Sequence, residues 1–204
     1  MAYAHDRLFR VIIDSAQADG SIGNRMASVL SECASQRPHP DWAQFKALDY
    51  SADAEAMSCW LDLALSGEAF EDEYQGLWFG LTNPVRNGIA TADIYASATA
   101  SFDADSLDWA LSPTVNPDEC ELESIVLRSL YDVAYGADSG LGNDAEYPLA
   151  LAYGSIASCE ALRRFGSRPG FRDLRGAATG FDSGDFLILG EFVNGRFRKR
   201  VVAG

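Results

Sequence analysis

The sequence predicts an α+β fold: one domain over residues 1–204, with a mainly antiparallel sheet built from hairpins and packed against several helices. Three observations lead there. Apolar residues in the first third recur at helical spacing, the middle switches to strand alternation, and two Asn-Gly pairs stand where tight hairpin turns require positive φ. At 204 residues with 48% hydrophobic and 23% charged composition, the chain can bury a continuous core and is not disordered in bulk.

The elements follow in order. Leu8, Phe9, Ile12, Ile13 and Ala16 line one face of a helix that Asp19-Gly20 ends, and Met26, Val29, Leu30 and Cys33 line a second. Arg37-Pro38-His39-Pro40 is a stiff connector. Ser51 is the expected N-cap of a third helix, faced by Ala54, Met57, Trp60, Leu61, Ala64 and Leu65 and closed by Gly67. Leu77 to Leu81 reads as a strand, followed by a loop longer than two residues around Pro84 and Asn87-Gly88. Ile94, Ala96, Ala98, Ala100 and Phe102 alternate with polar residues, which predicts a strand with one buried and one wet face. Asn116, Pro117 and Glu119 form a helix-start signature, and Leu122 to Val133 continue at helical spacing to Gly136. Alternation of Leu149, Leu151 and Tyr153 predicts a short strand over 147–153, and a helix follows Gly154-Ser155 from Ile156 to Phe165. A last hairpin joins Asp185–Val193 to Arg196–Val202 through Asn194-Gly195, and its near-continuous apolar character predicts burial on both faces.

Charge is divided along the chain. Residues 1–162 carry 7 Lys/Arg against 26 Asp/Glu, a balance of −19, and residues 163–204 carry 9 against 4, a balance of +5. Such acidity disfavours nucleic acid and favours a basic protein partner. No apolar run approaches the ~18 residues of a membrane span. The N-terminus lacks an export signal, and Cys33, Cys59, Cys120 and Cys159 are spaced as free thiols, so cytoplasmic residence is expected.

The motifs of several chemistries are missing. His5 and His39 are the two histidines, neither beside a nucleophile, and no zinc, P-loop or dinucleotide pattern occurs, so no catalytic residue, metal or cofactor is expected. Cys120 sits near the expected helix start but among Asp118, Glu119, Glu121 and Glu123, which disfavour a thiolate. Two acidic groups remain. Glu71, Asp72 and Glu73 form a run suited to capturing a basic partner. Asp138, Asp144 and Glu146 flank a Gly-rich loop, and Asp182 and Asp185 bracket a Ser-Gly turn; these five can bond their own turns or form a carboxylate site. Convergence in one pocket would favour an enzyme, and dispersal a binding protein.

The stretches NDAEYPLALAY (Asn143 to Tyr153), GFDSGDFLILGEF (Gly180 to Phe192) and GLWFGL (Gly76 to Leu81) resemble a bacterial family of uncharacterised cytoplasmic proteins over the last two thirds of the chain. In size, acidity and lack of catalytic motifs the chain is also similar to immunity proteins that neutralise bacterial toxins. The latter resemblance implies a non-enzymatic inhibitor of a basic toxin and transfers no functional residue. A carboxylate-based metal-dependent enzyme and a housekeeping scaffold are the alternatives.

Overall fold

A computed structural model describes residues 4–65, 74–106, 108–111, 113–114, 121–136, 140–165, 173–182 and 184–200. The fold is α+β, as the period change along the sequence predicts. Four helices come first: α1 (His5–Gln17), α2 (Ile22–Gln36), α3 (Trp42–Lys46) and α4 (Tyr50–Leu65). In α1 the buried residues Leu8, Ile12 and Ala16 fall four apart, on the predicted face. Gly20, at φ 113°, turns the chain into α2, where the Ser21 hydroxyl accepts the Asn24 N–H at 3.3 Å. The short α3 lies within the connector and buries Trp42 and Phe45. Ser51 does not cap α4: Asp49 does, accepting the Ala52 N–H at 3.0 Å.

The sheet contains β1 (Gly76–Thr82), β4 (Asp93–Thr99), β5 (Glu121–Leu122), β6 (Gly176–Phe181), β7 (Phe186–Val193) and β8 (Arg196–Lys199), in the order β5-β4-β1-β6-β7-β8. Only β1 and β6 run parallel; the other neighbours are antiparallel. Between β1 and β4, the short strands β2 (Val85–Arg86) and β3 (Ile89–Ala90) meet at Asn87-Gly88, with φ 54° and 79°. The Asn87-Gly88 turn is a tight two-residue one, and it sits inside the longer connection over 83–92 that joins β1 to its antiparallel neighbour β4. Pro84 fits because the position uses its carbonyl, which accepts the Thr91 N–H at 3.0 Å. Asn194-Gly195 turns β7 into β8 as predicted, with φ 53° and 70°. Val201 and Val202 lie outside the described residues.

Two expectations fail because of burial that the local pattern does not reveal, and a third fails the opposite way, by exposure. The helix α6 (Asn143–Phe165) runs through the predicted strand over 147–153 and through Gly154-Ser155. It packs on α1, α2, α4 and α5 and on β1, β6, β7 and β8, so consecutive residues from Leu149 to Tyr153 are all buried and period 2 among them carries no information. At Gly154 an added Cβ would lie 2.9 Å from Leu81 Cδ2, so glycine here permits close helix-to-sheet approach rather than ending the helix. Likewise β4 is buried on both faces, Ser97 and Thr99 included, because residues beyond it fold back over the outer face. The terminal hairpin belongs to the sheet, yet only Leu187, Leu189 and Gly190 of β7 are buried, while Phe186, Glu191 and Val193 are exposed.

The helix expected from Asn116 begins instead as α5 (Ile125–Ala134), and Glu121-Leu122 pair with Tyr95 and Ile94 as β5. Residues 115–120, with Asn116 and Cys120, lie outside the described residues. Ser124 caps α5 through the Leu127 N–H at 3.0 Å. The same terminus is tied to α4 and α6 by buried Asp53, which accepts Ser124 Oγ at 2.6 Å, the Ile125 N–H at 2.8 Å and the Tyr153 hydroxyl at 2.6 Å. Three donors from two elements satisfy a carboxylate that would otherwise be costly to bury. No described helix is long and apolar enough to cross a membrane.

Candidate functional site

The strand ends around α6 gather the described members of the predicted carboxylate group. Asp144, in the first turn of α6, pairs with Arg37 of the α2–α3 connector. Glu146 is buried and accepts the Asn83 amide and the Tyr135 hydroxyl, each at 2.8 Å. Asp182, at the end of β6, accepts the Tyr95 hydroxyl, and Asp185, before β7, accepts the Tyr147 hydroxyl. All four are at one end of the sheet, but each closes a separate link between elements distant in sequence. Asp138 lies outside the described residues, as do Glu71, Asp72 and Glu73.

The phenols fix the chemistry of these links. Burial, then the accepting carboxylate, raises the Tyr147 and Tyr95 hydroxyls well above the ordinary phenol range, and the same causes push Tyr135 up to about 12. At neutral pH the phenols remain protonated donors, so these pairs are tethers. Among the described residues, no group of three or more His, Cys, Asp and Glu is arranged to hold a metal ion. His39 Nδ1 accepts the Asp41 N–H at 3.3 Å within its own turn. Cys33 and Cys159 are buried, and Cys59 is exposed; Cys59 and Cys159 form no disulfide. Burial pushes the Cys159 thiol up to about 12.

A different surface carries the features of a binding face. Strand alternation places Gly76, Trp78 and Gly80 of β1 beside Thr99, Ser97 and Tyr95 of β4, and beside Gly176, Ala178 and Gly180 of β6, on the side away from α6. Glycine is required there because rings occupy the space of a side chain. An added Cβ would come within 2.1 Å of the Tyr95 ring at Gly80, 2.1 Å of Phe102 at Gly176 and 2.6 Å of Trp109 at Gly76. Trp78, Trp109 and Ala178 form a second small core, with Tyr95, Phe102, Ala110 and Ile188 partly buried around it.

Polar contacts hold the rings in place. Trp78 Nε1 donates to the Tyr95 hydroxyl at 3.2 Å, and Tyr95 in turn donates to Asp182. Trp109 begins its own link from the 3-10 turn Asp108–Leu111, donating through Nε1 to the Asp103 carbonyl at 3.1 Å. The covering segment displays Asp103, Asp105 and Asp108 to solvent together with Leu111, which is 75% exposed. Across the sheet, Arg196 and Arg198 of β8 and the following Arg200 are exposed and alternate with Phe197 and Lys199. The outer face is thus aromatic at its centre, covered by an acidic segment that crosses β1 and β6 and reaches Arg200, which donates to the Ala104 carbonyl at 3.1 Å, and basic along β8.

Sequence reasoning marked Asp182 but missed the aromatic cluster. Its signal was available in GLWFGL, where two glycines four apart in a strand mark a close approach on one face. Comparisons with protein-family models, with curated proteins and with solved structures gave no match to this chain.

Proposed function

We propose that the chain is a non-enzymatic, immunity-type binding protein whose outer sheet face docks a basic protein, most concretely a bacterial toxin. The observation that carries this reading is the Trp78, Tyr95, Phe102 and Trp109 cluster bordered by exposed Asp103, Asp105, Asp108 and Asp182. The partly exposed Tyr95 and Phe102, held over buried Trp78 and Trp109, would supply contact area at the centre, and the acids would supply steering at the edge. The acidic run Glu71, Asp72 and Glu73 is proposed to add to that steering. Engagement of Asp144, Glu146, Asp182 and Asp185 in tethers weighs against a carboxylate-based enzyme. Cytoplasmic residence belongs to the same proposal, in keeping with Cys59 and Cys159, which form no disulfide.

The test is stopped-flow association with the product of the gene that neighbours this chain's own. Exchange of Asp105 and Asp108 for lysine should slow association roughly tenfold, as should exchange of Glu71, Asp72 and Glu73, with dissociation little changed. The wild-type rate should fall as salt rises. Association indifferent to salt and to both exchanges would remove the electrostatic reading, and an acidic neighbouring product would remove the partner class.

A further inference from the structure

The last hairpin carries unmatched charge on the outer face. In β8, Arg196 lies opposite Val193 and Arg198 opposite Glu191, while Phe197 meets Phe192 on the other side with ring centroids 5.4 Å apart. Phe197 and Lys199 point toward the helices, where Lys199 donates to the Ala18 carbonyl at 2.6 Å. Arg196 and Arg198 therefore face away from α6, exposed, and among the described residues neither forms an ion pair. Asp103, Asp105 and Asp108 of the covering segment are exposed too, and among the described residues they form no ion pair either. Two patches of opposite sign thus stand on one face, unneutralised, and meet where the Arg200 guanidinium reaches the Ala104 carbonyl. Each has apolar surface beside it: Leu111 ends the covering segment, and Val193, 38% exposed, stands opposite Arg196.

We propose that a second copy of the chain docks on this face about a two-fold axis, with Arg196 and Arg198 of each copy against Asp105 and Asp108 of the other. A two-fold contact brings the same surface of both molecules together, so a face of one sign repels its own copy. A face with both signs side by side offers each patch its opposite twice, and Leu111 and Val193 supply apolar area to bury. The formal charge of −14 opposes the approach of two copies, but physiological salt screens that repulsion over ~8 Å and leaves the contact to the patches. The inference rests on the outer face being a recognition surface and adds its regulation: a basic partner must displace the second copy to reach the acids.

The test is sedimentation velocity of the full chain at physiological salt. Wild type should pass from monomer to dimer over roughly 10–500 µM. One variant carries Asp105→Lys and Asp108→Lys, and a second carries Arg196→Glu and Arg198→Glu; each alone sets like charge against like and should self-associate at least roughly tenfold more weakly. Mixed in equal amounts, the two variants should pair with each other, and a chain with all four exchanges should dimerise again. That rescue separates a charge contact from damage to the fold. The Arg196→Glu, Arg198→Glu chain should associate with the neighbouring gene's product no more slowly than wild type, so that failure of self-pairing and failure of the toxin reading are told apart. Three results overturn the proposal: wild type that stays monomeric throughout that range, variants that dimerise as wild type does, or a mixture of the two variants that stays monomeric.

Discussion

The two faces of the central sheet use the same strands in opposite ways. Toward α6, β1 presents Leu77, Phe79 and Leu81 and β4 presents Ile94, Ala96 and Ala98, aliphatic and aromatic volume packed against a helix that is buried all round. Away from α6, the alternate residues are glycine, serine and threonine, interrupted by Trp78 and Tyr95, and the cover is a loop whose rings lie over the glycines. One face gains its stability from interlocking bulk. The other buries Trp78 and Trp109 beneath the covering segment and leaves Tyr95 and Phe102 partly exposed around them.

Breaking the frame common to both faces should have the largest effect. Removal of residues 185–204 deletes β7 and β8 and exposes β6, and should give an insoluble or unfolded product. A soluble truncation with unchanged melting temperature would contradict the placement of the hairpin in the core sheet. Next, Phe79→Ala opens a cavity on the helix side and should cost about 3–5 kcal/mol in denaturant unfolding. On the other side, Gly80→Ala pushes the Tyr95 ring off the sheet and should cost about 1–3 kcal/mol while changing the near-UV spectrum of Trp78 and Tyr95. Gly23→Ala in α2 makes the control, since an added Cβ there meets nothing within 4 Å and should stabilise by about 0.4–1 kcal/mol.

The smallest effect lies away from both faces, where Arg7 of α1 pairs with Glu32 of α2 at 2.6 Å. The Gln36 amide and, behind it, Arg7 hold the Glu32 carboxyl below the ordinary glutamate range, against burial, which acts the other way. A depressed carboxyl contributes stability above its unfolded value and loses it as pH falls through the folded one. Glu32→Gln should therefore cost at most about 1 kcal/mol at neutral pH, given how exposed Arg7 is, and nothing once Glu32 is protonated in both states. Thermal melts of both proteins across the acid range read this directly.

What was legible in the sequence was what local chemistry decides. Asn87-Gly88 and Asn194-Gly195 announce their turns because few residues tolerate the φ they require, and α1 and α2 show one apolar stripe each. β6 was not legible: Gly176, Ala177, Ala178 and Gly180 carry too little bulk to read as a strand, and their smallness makes sense only once Phe102 and Phe186 are packed over them. The carboxylates stood out as acids, but their role depends on Tyr95, Tyr135 and Tyr147, which reach them across separate elements. A partner of that kind leaves no spacing for a motif to record.

The parallel pairing of β1 with β6 matches Gly76 with Gly176, so the central joint of the sheet closes between points a hundred residues apart. During synthesis the chain must therefore hold α1, α2, α4 and the β1–β4 hairpin in readiness, with apolar faces uncovered, until α6 and β6 leave the ribosome. The excess of acid over the first 162 residues gives that waiting segment strong mutual repulsion between copies. Nascent chains arrested before residue 165 should bind an apolar dye, and chains extended past residue 200 should release it, with the early segment staying dispersed because of its charge.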